Sequence, residues 1–207
     1  MTSTFTFLLF LLLLNNLLLL ASDRIENLHR LLGIQGFLLA GLLFCLDHVL
    51  MALAIILIKG IGLPMLLWRT YRHIGKPSTM KPHLSMGMSV LSGIICLVFS
   101  LWMEKRLPMP QDFFPAFLLP IALTMLFCGL VLVVVRASAL VQVMGYLVAE
   151  NGIFLLGSPL MSSGAIWFEL TLLLDLFVAV FVMGIAINHI SSKFETIDVG
   201  RFHNLRD

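Results

Sequence analysis

Charge is scarce in this sequence. Lys and Arg number 13 and Asp and Glu 11, together 12% of 207 residues, about half the share of an average soluble domain. No basic run of the kind that holds nucleic acid is present. Cysteine is scarcer still. Cys45, Cys96 and Cys128 stand apart inside apolar runs with no CxxC or other metal-ligand spacing, so they read as small buried hydrophobes. A Gly-rich phosphate loop is missing, and no polar stretch is long enough for a soluble domain with a redox centre. No cofactor and no metal is expected. What fills the chain instead is hydrocarbon: 60% of residues are hydrophobic and the mean hydropathy is +1.05. That composition belongs to a polytopic membrane protein in a lipid bilayer.

Runs of about 17–25 apolar residues can cross a bilayer as helices. Seven are present, at 4–21, 29–46, 49–71, 84–103, 114–135, 138–157 and 165–189, predicting an all-α membrane helix bundle. The opening MTSTFTFLLFLLLLNNLLLLASD looks like a secretory leader, but its start has no Lys or Arg and its apolar run is too long. It reads as the first span. The polar breaks RHIGKPSTMKPH (72–83) and EKRLPMPQD (104–112) carry Pro and Gly as loops do. One side of the bundle collects Arg24, Arg30, Arg69, Arg72, Lys76, Lys81, Arg136, Lys193, Arg201 and Arg206, and the other only Lys105 and Arg106. The positive-inside rule then sets the N-terminus outside and the C-terminus in the cytoplasm. Trp68 and Tyr71 toward the inner face, and Trp102 and Trp167 toward the outer, fit interfacial belts.

The chain also repeats itself. QGFLLAG (35–41) aligns with MGYLVAE (144–150), and MALAIILIKGIGLPMLLWRTYRHI (51–74) with WFELTLLLDLFVAVFVMGIAINHI (167–190). The expected organisation is a three-helix repeat (1–74), a linker loop and fourth helix (75–112), a second three-helix repeat (113–190) and a cytoplasmic tail (191–207). Four helices separate matching positions, so the repeats are parallel. In this register Lys59 matches Asp175, and Glu150 matches Gly41.

Ionisable residues inside spans are expensive and mark function or pairing. At about 1.5 Å rise per residue, Lys59, Glu150 and Asp175 each lie roughly 16–18 Å deep, near the midplane of a core about 30 Å thick. They form a horizontal row, not a path straight across. Ionisable groups in an apolar medium can exchange protons near neutrality, so the row can relay protons. The competing reading is a static ion pair that locks the bundle. Pro64 removes the helix bond to the Gly60 carbonyl, and with Gly60 and Gly62 it should loosen the helix beside Lys59. Around this row, Asn151 either orients Glu150 by hydrogen bonding or joins helices, and Glu169, six residues outward of Asp175, either feeds protons or faces headgroups. Asn15, Asn16 and Gln35 read as interhelical hydrogen bonds. Asp47 and His48 mark a solvated outer turn. His73, His83 and His189 lie in wet basic segments unsuited to haem.

GYLVAENGIFLLG (145–157), IKGIGLPMLLWRTYRHI (58–74), Asp175 in an apolar helix and the tail FETIDVGRFHNLRD resemble the hydrogenase-4 component E family. These are membrane subunits of formate hydrogenlyase-type complexes with group 4 nickel–iron hydrogenases. The resemblance covers nearly the whole chain, and its GYxxxEN core is its most specific part. The last three spans resemble the K subunit of complex I and the C subunit of Mrp-type antiporters, which carry one acid on the middle helix and one on the third. Asp175 stands at the third-helix position. Glu150 departs from that pattern: the K-subunit acid falls two residues after the glycine, where this chain has Leu147, and Glu150 comes about one turn later on the same face.

The resemblance implies a non-catalytic subunit in the membrane arm of a complex I-like, hydrogenase-linked respiratory complex of the bacterial or archaeal cytoplasmic membrane. Its partners would be antiporter-like and other membrane-arm subunits and a peripheral hydrogenase or dehydrogenase arm. Lys59, Glu150 and Asp175 would pass protons or charge between neighbours. Rival readings are a structural connector with locked ion pairs, an Mrp-like cation/proton antiporter subunit, and a free-standing transporter.

Overall fold

A computed structural model describes residues 2–74, 86–107, 115, 117–136 and 138–159, together with 175, 178, 181, 182 and 184. Helix α1 covers Thr2–Ala21 and α2 covers Ile25–Cys45. A third rod is built from α3 (Val49–Ile55), a π-helical segment (Ile56–Gly62) and α4 (Leu63–Ile74). Then come α5 (Met86–Arg106), α6 (Leu118–Val135) and α7 (Ala139–Gly157). Six of these rods are long and apolar enough to cross a membrane. The chain is an all-helical membrane bundle, with no strand among the described residues. The expected seventh span, 165–189, falls mostly outside them, as do Trp167, Glu169, His83 and His189. Its described residues are helical, and Asp175, Val178 and Val182 are buried.

Several helices overrun their apolar cores, because backbone hydrogen bonding continues where the lipid ends. The second begins at Ile25 instead of 29, with Glu26 in its first turn, where a carboxylate complements the helix dipole. The fourth continues to Lys105 and Arg106 in its last turn, the favourable place for cations.

Two apolar clusters fill the bundle. One joins Leu19, Leu28, Leu67, Leu132, Val141 and Met144. The other joins Leu9, Leu39, Ile55, Leu118, Met125 and Leu155. On α1, α2, the third rod and α7, polar residues separate the two sets: Asn15 and Asn16, Gln35, Lys59, and Glu150 with Asn151, all buried. The polar groups thus form one transverse layer between two slabs of hydrocarbon.

Direction follows from the turns. The buried Arg136, just after α6, donates through Nη2 to Asp23 Oδ1 at 2.9 Å and to the Ser22 carbonyl at 3.0 Å, in the turn after α1. The C-terminal ends of α1 and α6 therefore meet, and the two helices run the same way. Helices α6 and α7 pack closest of all. A Cβ on Gly129 would lie 2.3 Å from the Ala149 nitrogen, and one on Gly145 2.9 Å from the Gly129 carbonyl oxygen. Only glycine admits that approach.

Candidate functional site

Lys59 lies in the middle of the π-helical segment, and the local sequence accounts for it. Pro64 has no N–H to offer, and Gly60 and Gly62 leave the backbone easily rewound. The segment closes with the Leu63 N–H donating to the Ile58 carbonyl five residues back, the π pattern. The α-helix resumes at Leu63. The loosening expected beside the lysine therefore takes the form of a seven-residue π-helix on the N-terminal side of the proline.

Helix α2 presses on this segment. A Cβ on Gly36 would sit 2.6 Å from the Lys59 carbonyl carbon and 2.7 Å from the Gly60 nitrogen. The two backbones are in direct contact, which fixes the height from which the lysine side chain reaches across to α7.

The ammonium is caged by oxygen. Lys59 Nζ donates to Glu150 Oε1 at 2.7 Å and to Asn151 Oδ1 at 3.0 Å, and lies 3.4 Å from Asp175 Oδ1. Lys59, Glu150, Asn151 and Asp175 are each 3% exposed. The ring of Phe154 lies 5.6 Å below the ammonium, within the range of a cation–π contact. Phe154 is one helical turn beyond Glu150, so both face the same side of α7. Two carboxylates thus share one ammonium, and with every group ionised the cluster carries one negative charge in excess.

The cluster answers which carboxylate holds the lysine: both do. Lys59 from the third rod, Glu150 and Asn151 from α7, and Asp175 converge at one level of the bundle. Asn151 takes the second of its two expected places, a bond between helices. It bonds Lys59 and not Glu150, because its side chain projects about 100° around the helix from its neighbour and reaches the ammonium from another side. Its Nδ2 donates to Gln35 Oε1 on α2 at 3.2 Å, so Gln35 makes the interhelical bond its position suggested. Asn15 Nδ2 likewise donates to the Leu31 carbonyl on α2 at 3.1 Å, whereas Asn16 is buried with neither amide atom hydrogen-bonded among the described residues, so the interhelical bond expected of it is not made. The three cysteines are free thiols, Cys128 buried and the others half-buried. Asp47 is exposed in the turn between α2 and α3, with a left-handed backbone at φ 62°.

Phe154 is the residue that sequence reasoning missed. Its signal was its spacing of four from Glu150, which is hard to see among 16 phenylalanines. Away from the site, the His29 and Trp68 rings stack at 4.6 Å, and Arg72 lies 5.0 Å over Trp68. This aromatic group ties the start of α2 to the end of the third rod.

No group of His, Cys, Asp and Glu suited to a metal occurs among the described residues. Chemically, the cluster can hold a cation tightly, exchange a proton between a lysine and two carboxylates, or lock three helices together. Comparison of the chain with family models, with curated proteins and with solved structures gives no match.

Proposed function

We propose that this chain is a membrane-arm subunit of a complex I-like, hydrogenase-linked respiratory complex, and that Lys59, Glu150 and Asp175 form one station of its lateral proton path. The observation that carries this reading is the oxygen cage: one ammonium at 2.7 Å and 3.4 Å from two carboxylates, all three residues 3% exposed. A static pair needs one carboxylate. A second leaves the group one positive charge short of neutrality, and a proton makes up the difference. Adding or removing that proton changes how strongly Lys59 is held, which is how charge at one station can be felt at the next.

The subunit assignment rests on the family resemblance of the GYLVAENGIFLLG and IKGIGLPMLLWRTYRHI helices. The resemblance and the ten-to-two distribution of Lys and Arg both favour a cytoplasmic C-terminus in a bacterial or archaeal inner membrane. Gentle purification of the tagged chain from its native membrane tests the assignment. Hydrogenase or dehydrogenase subunits together with antiporter-like proteins should accompany it. A stable chain that purifies alone would overturn the reading and favour a free-standing transporter.

One observation favours the connector reading. Arg136 clamps two turns at one end of the bundle as Lys59 clamps helices in its middle, so ion pairs do hold this fold together. The two readings separate when Glu150→Gln and Asp175→Asn are tested one at a time in an assembled complex: each leaves Lys59 one carboxylate, so a connector keeps translocation and a relay loses it.

A further inference from the structure

Helix α2 and the third rod meet along a regular seam. The His29 ring stacks on Trp68 at 4.6 Å. A Cβ on Gly33 would lie 3.5 Å from Pro64 Cγ, and one on Gly60 3.4 Å from Phe37 Cζ. Residues 29, 33 and 37 thus meet 68, 64 and 60, so the two helices run antiparallel. Each residue turns about 100° from the one before it. In an antiparallel pair of right-handed helices, the residues just before the seam positions therefore face one side of the pair, and those just after face the other. Burial follows that division. Before the seam stand Leu28, Leu32, Gly36, Lys59, Leu63 and Leu67, all buried. After it stand Arg30, Ile34, Ile61, Met65 and Arg69, all exposed, with Leu38 half-buried.

The exposed side changes character along its length. Arg30 and Arg69 stand at the end where His29 meets Trp68, and Arg72, also exposed, lies 5.0 Å over the Trp68 ring. Among the described residues none of these three arginines is in an ion pair, although Glu26 lies one turn before Arg30. Farther along, the surface is apolar: Ile34 and Phe37 on α2, Met65 and Ile61 on the third rod. Ile61 is eight residues from Arg69, about 12 Å at 1.5 Å per residue. That lies within the roughly 15 Å of hydrocarbon in one leaflet.

We propose that this face binds an anionic phospholipid, its phosphate held by Arg30, Arg69 and Arg72 and its acyl chains laid along Ile34, Met65 and Ile61. Charge selects the occupant. A guanidinium matches phosphate with two parallel donors, and basic groups between membrane helices attract anionic headgroups. A zwitterionic lipid brings a cation of its own to the arginines and gains less. Trp68 sits at the level where indole rings favour the headgroup boundary, and its face holds Arg72 there. The site does not depend on the relay reading. Its lipid covers the outer flank of the π-helical segment, whose Lys59 faces inward.

Native mass spectrometry of the full chain in detergent tests the proposal, with phosphatidylglycerol and phosphatidylcholine of identical acyl chains as probes. Phosphatidylglycerol should bind the more tightly. Arg30→Gln/Arg69→Gln should weaken it about twenty-fivefold, at about fivefold for each basic group at an anionic surface. Arg30→Lys/Arg69→Lys should keep most of the affinity, and neither variant should change phosphatidylcholine binding. Arg106→Gln removes the arginine lying 5.5 Å over Trp102 at the far end of α5 and should change nothing. A phosphatidylglycerol with a photoreactive group at mid-chain should label the segments around Ile34 and Met65, in the purified chain and in native membranes. Equal affinity for the two lipids overturns the proposal, as does a loss that lysine fails to restore. Inorganic phosphate that displaces the lipid at equal concentration marks a site for free anions and also overturns it. Labelling of the purified chain that vanishes in native membranes marks the face as a contact with a partner subunit and does the same.

Discussion

Gly36→Ala tests how the site is built. A Cβ at that position would lie 2.6 Å from the Lys59 carbonyl carbon and 2.7 Å from the Gly60 nitrogen and the Lys59 oxygen. All three are backbone atoms, so no side chain can swing aside. To restore ordinary contact, α2 and the π-helical segment must part by close to 1 Å, and overpacking of this kind costs about 1–3 kcal/mol. Alanine returns about 1 kcal/mol through its better helix propensity. At the upper end of the range the net loss is about 2 kcal/mol. Gly41, on the same helix, is the control. A Cβ there meets only the Leu8 side chain at 3.5 Å, an ordinary contact, so Gly41→Ala should be neutral or stabilising by up to about 1 kcal/mol. Reversible unfolding of both variants in micelles measures the gap; the propensity gain is common to both, so the gap equals the overpacking cost of about 1–3 kcal/mol. The same shift draws Lys59 back from Glu150, so Gly36→Ala should also move the Lys59 ammonium NMR signal and Gly41→Ala should not. Equal stabilities for the two variants would refute the backbone contact and with it the placement of the lysine.

Further predictions concern the ion pairs and a turn. Lys59→Met strands two buried carboxylates and should destabilise the chain by about 3–5 kcal/mol. Adding Glu150→Gln and Asp175→Asn should recover most of that, as unfolding of the triple variant would report. At the other clamp Arg136 is 2% exposed and Asp23 42%. Asp23→Ala should therefore cost more than Arg136→Ala, because it leaves the buried cation without its carboxylate whereas the stranded carboxylate is hydrated; comparing the two melting temperatures decides it. Asp47 has a left-handed backbone at φ 62°, which a β-branched residue tolerates poorly. Asp47→Val should lower stability by about 1–2 kcal/mol, and Asp47→Gly should not lower it.

The fold was legible because lipid imposes a simple rule: long apolar runs become helices, since no backbone polar group can stay unpaired in hydrocarbon. Lys59, Glu150 and Asp175 were legible for the same reason, as charges conspicuous in apolar sequence. Their common depth could be counted from the helix rise. Their contact could not, because the distance between helices depends on side chains that meet from separate spans, and Gly36 sets part of it. Pro64 and its neighbouring glycines announced a loosened helix, but the i+5 bonding pattern is a choice among several ways to satisfy the freed carbonyl. Gln35 looked like any polar contact between helices. Its direction, acceptor toward Asn151, becomes visible only once the ammonium fixes the polarity of the chain. Phe154 carried only its spacing of four from Glu150, one phenylalanine among 16.

The central claim is that the Lys59 cluster passes protons and does more than hold helices. The most direct measurement is proton translocation in inverted native vesicles whose complex, captured through this chain, carries Asp175→Asn or Glu150→Gln. Each substitution keeps the shape of the side chain and removes its titration. With assembly unchanged, the account predicts that electron transfer drives little or no translocation in either variant. Full translocation in both would contradict it and leave the cluster as a clamp.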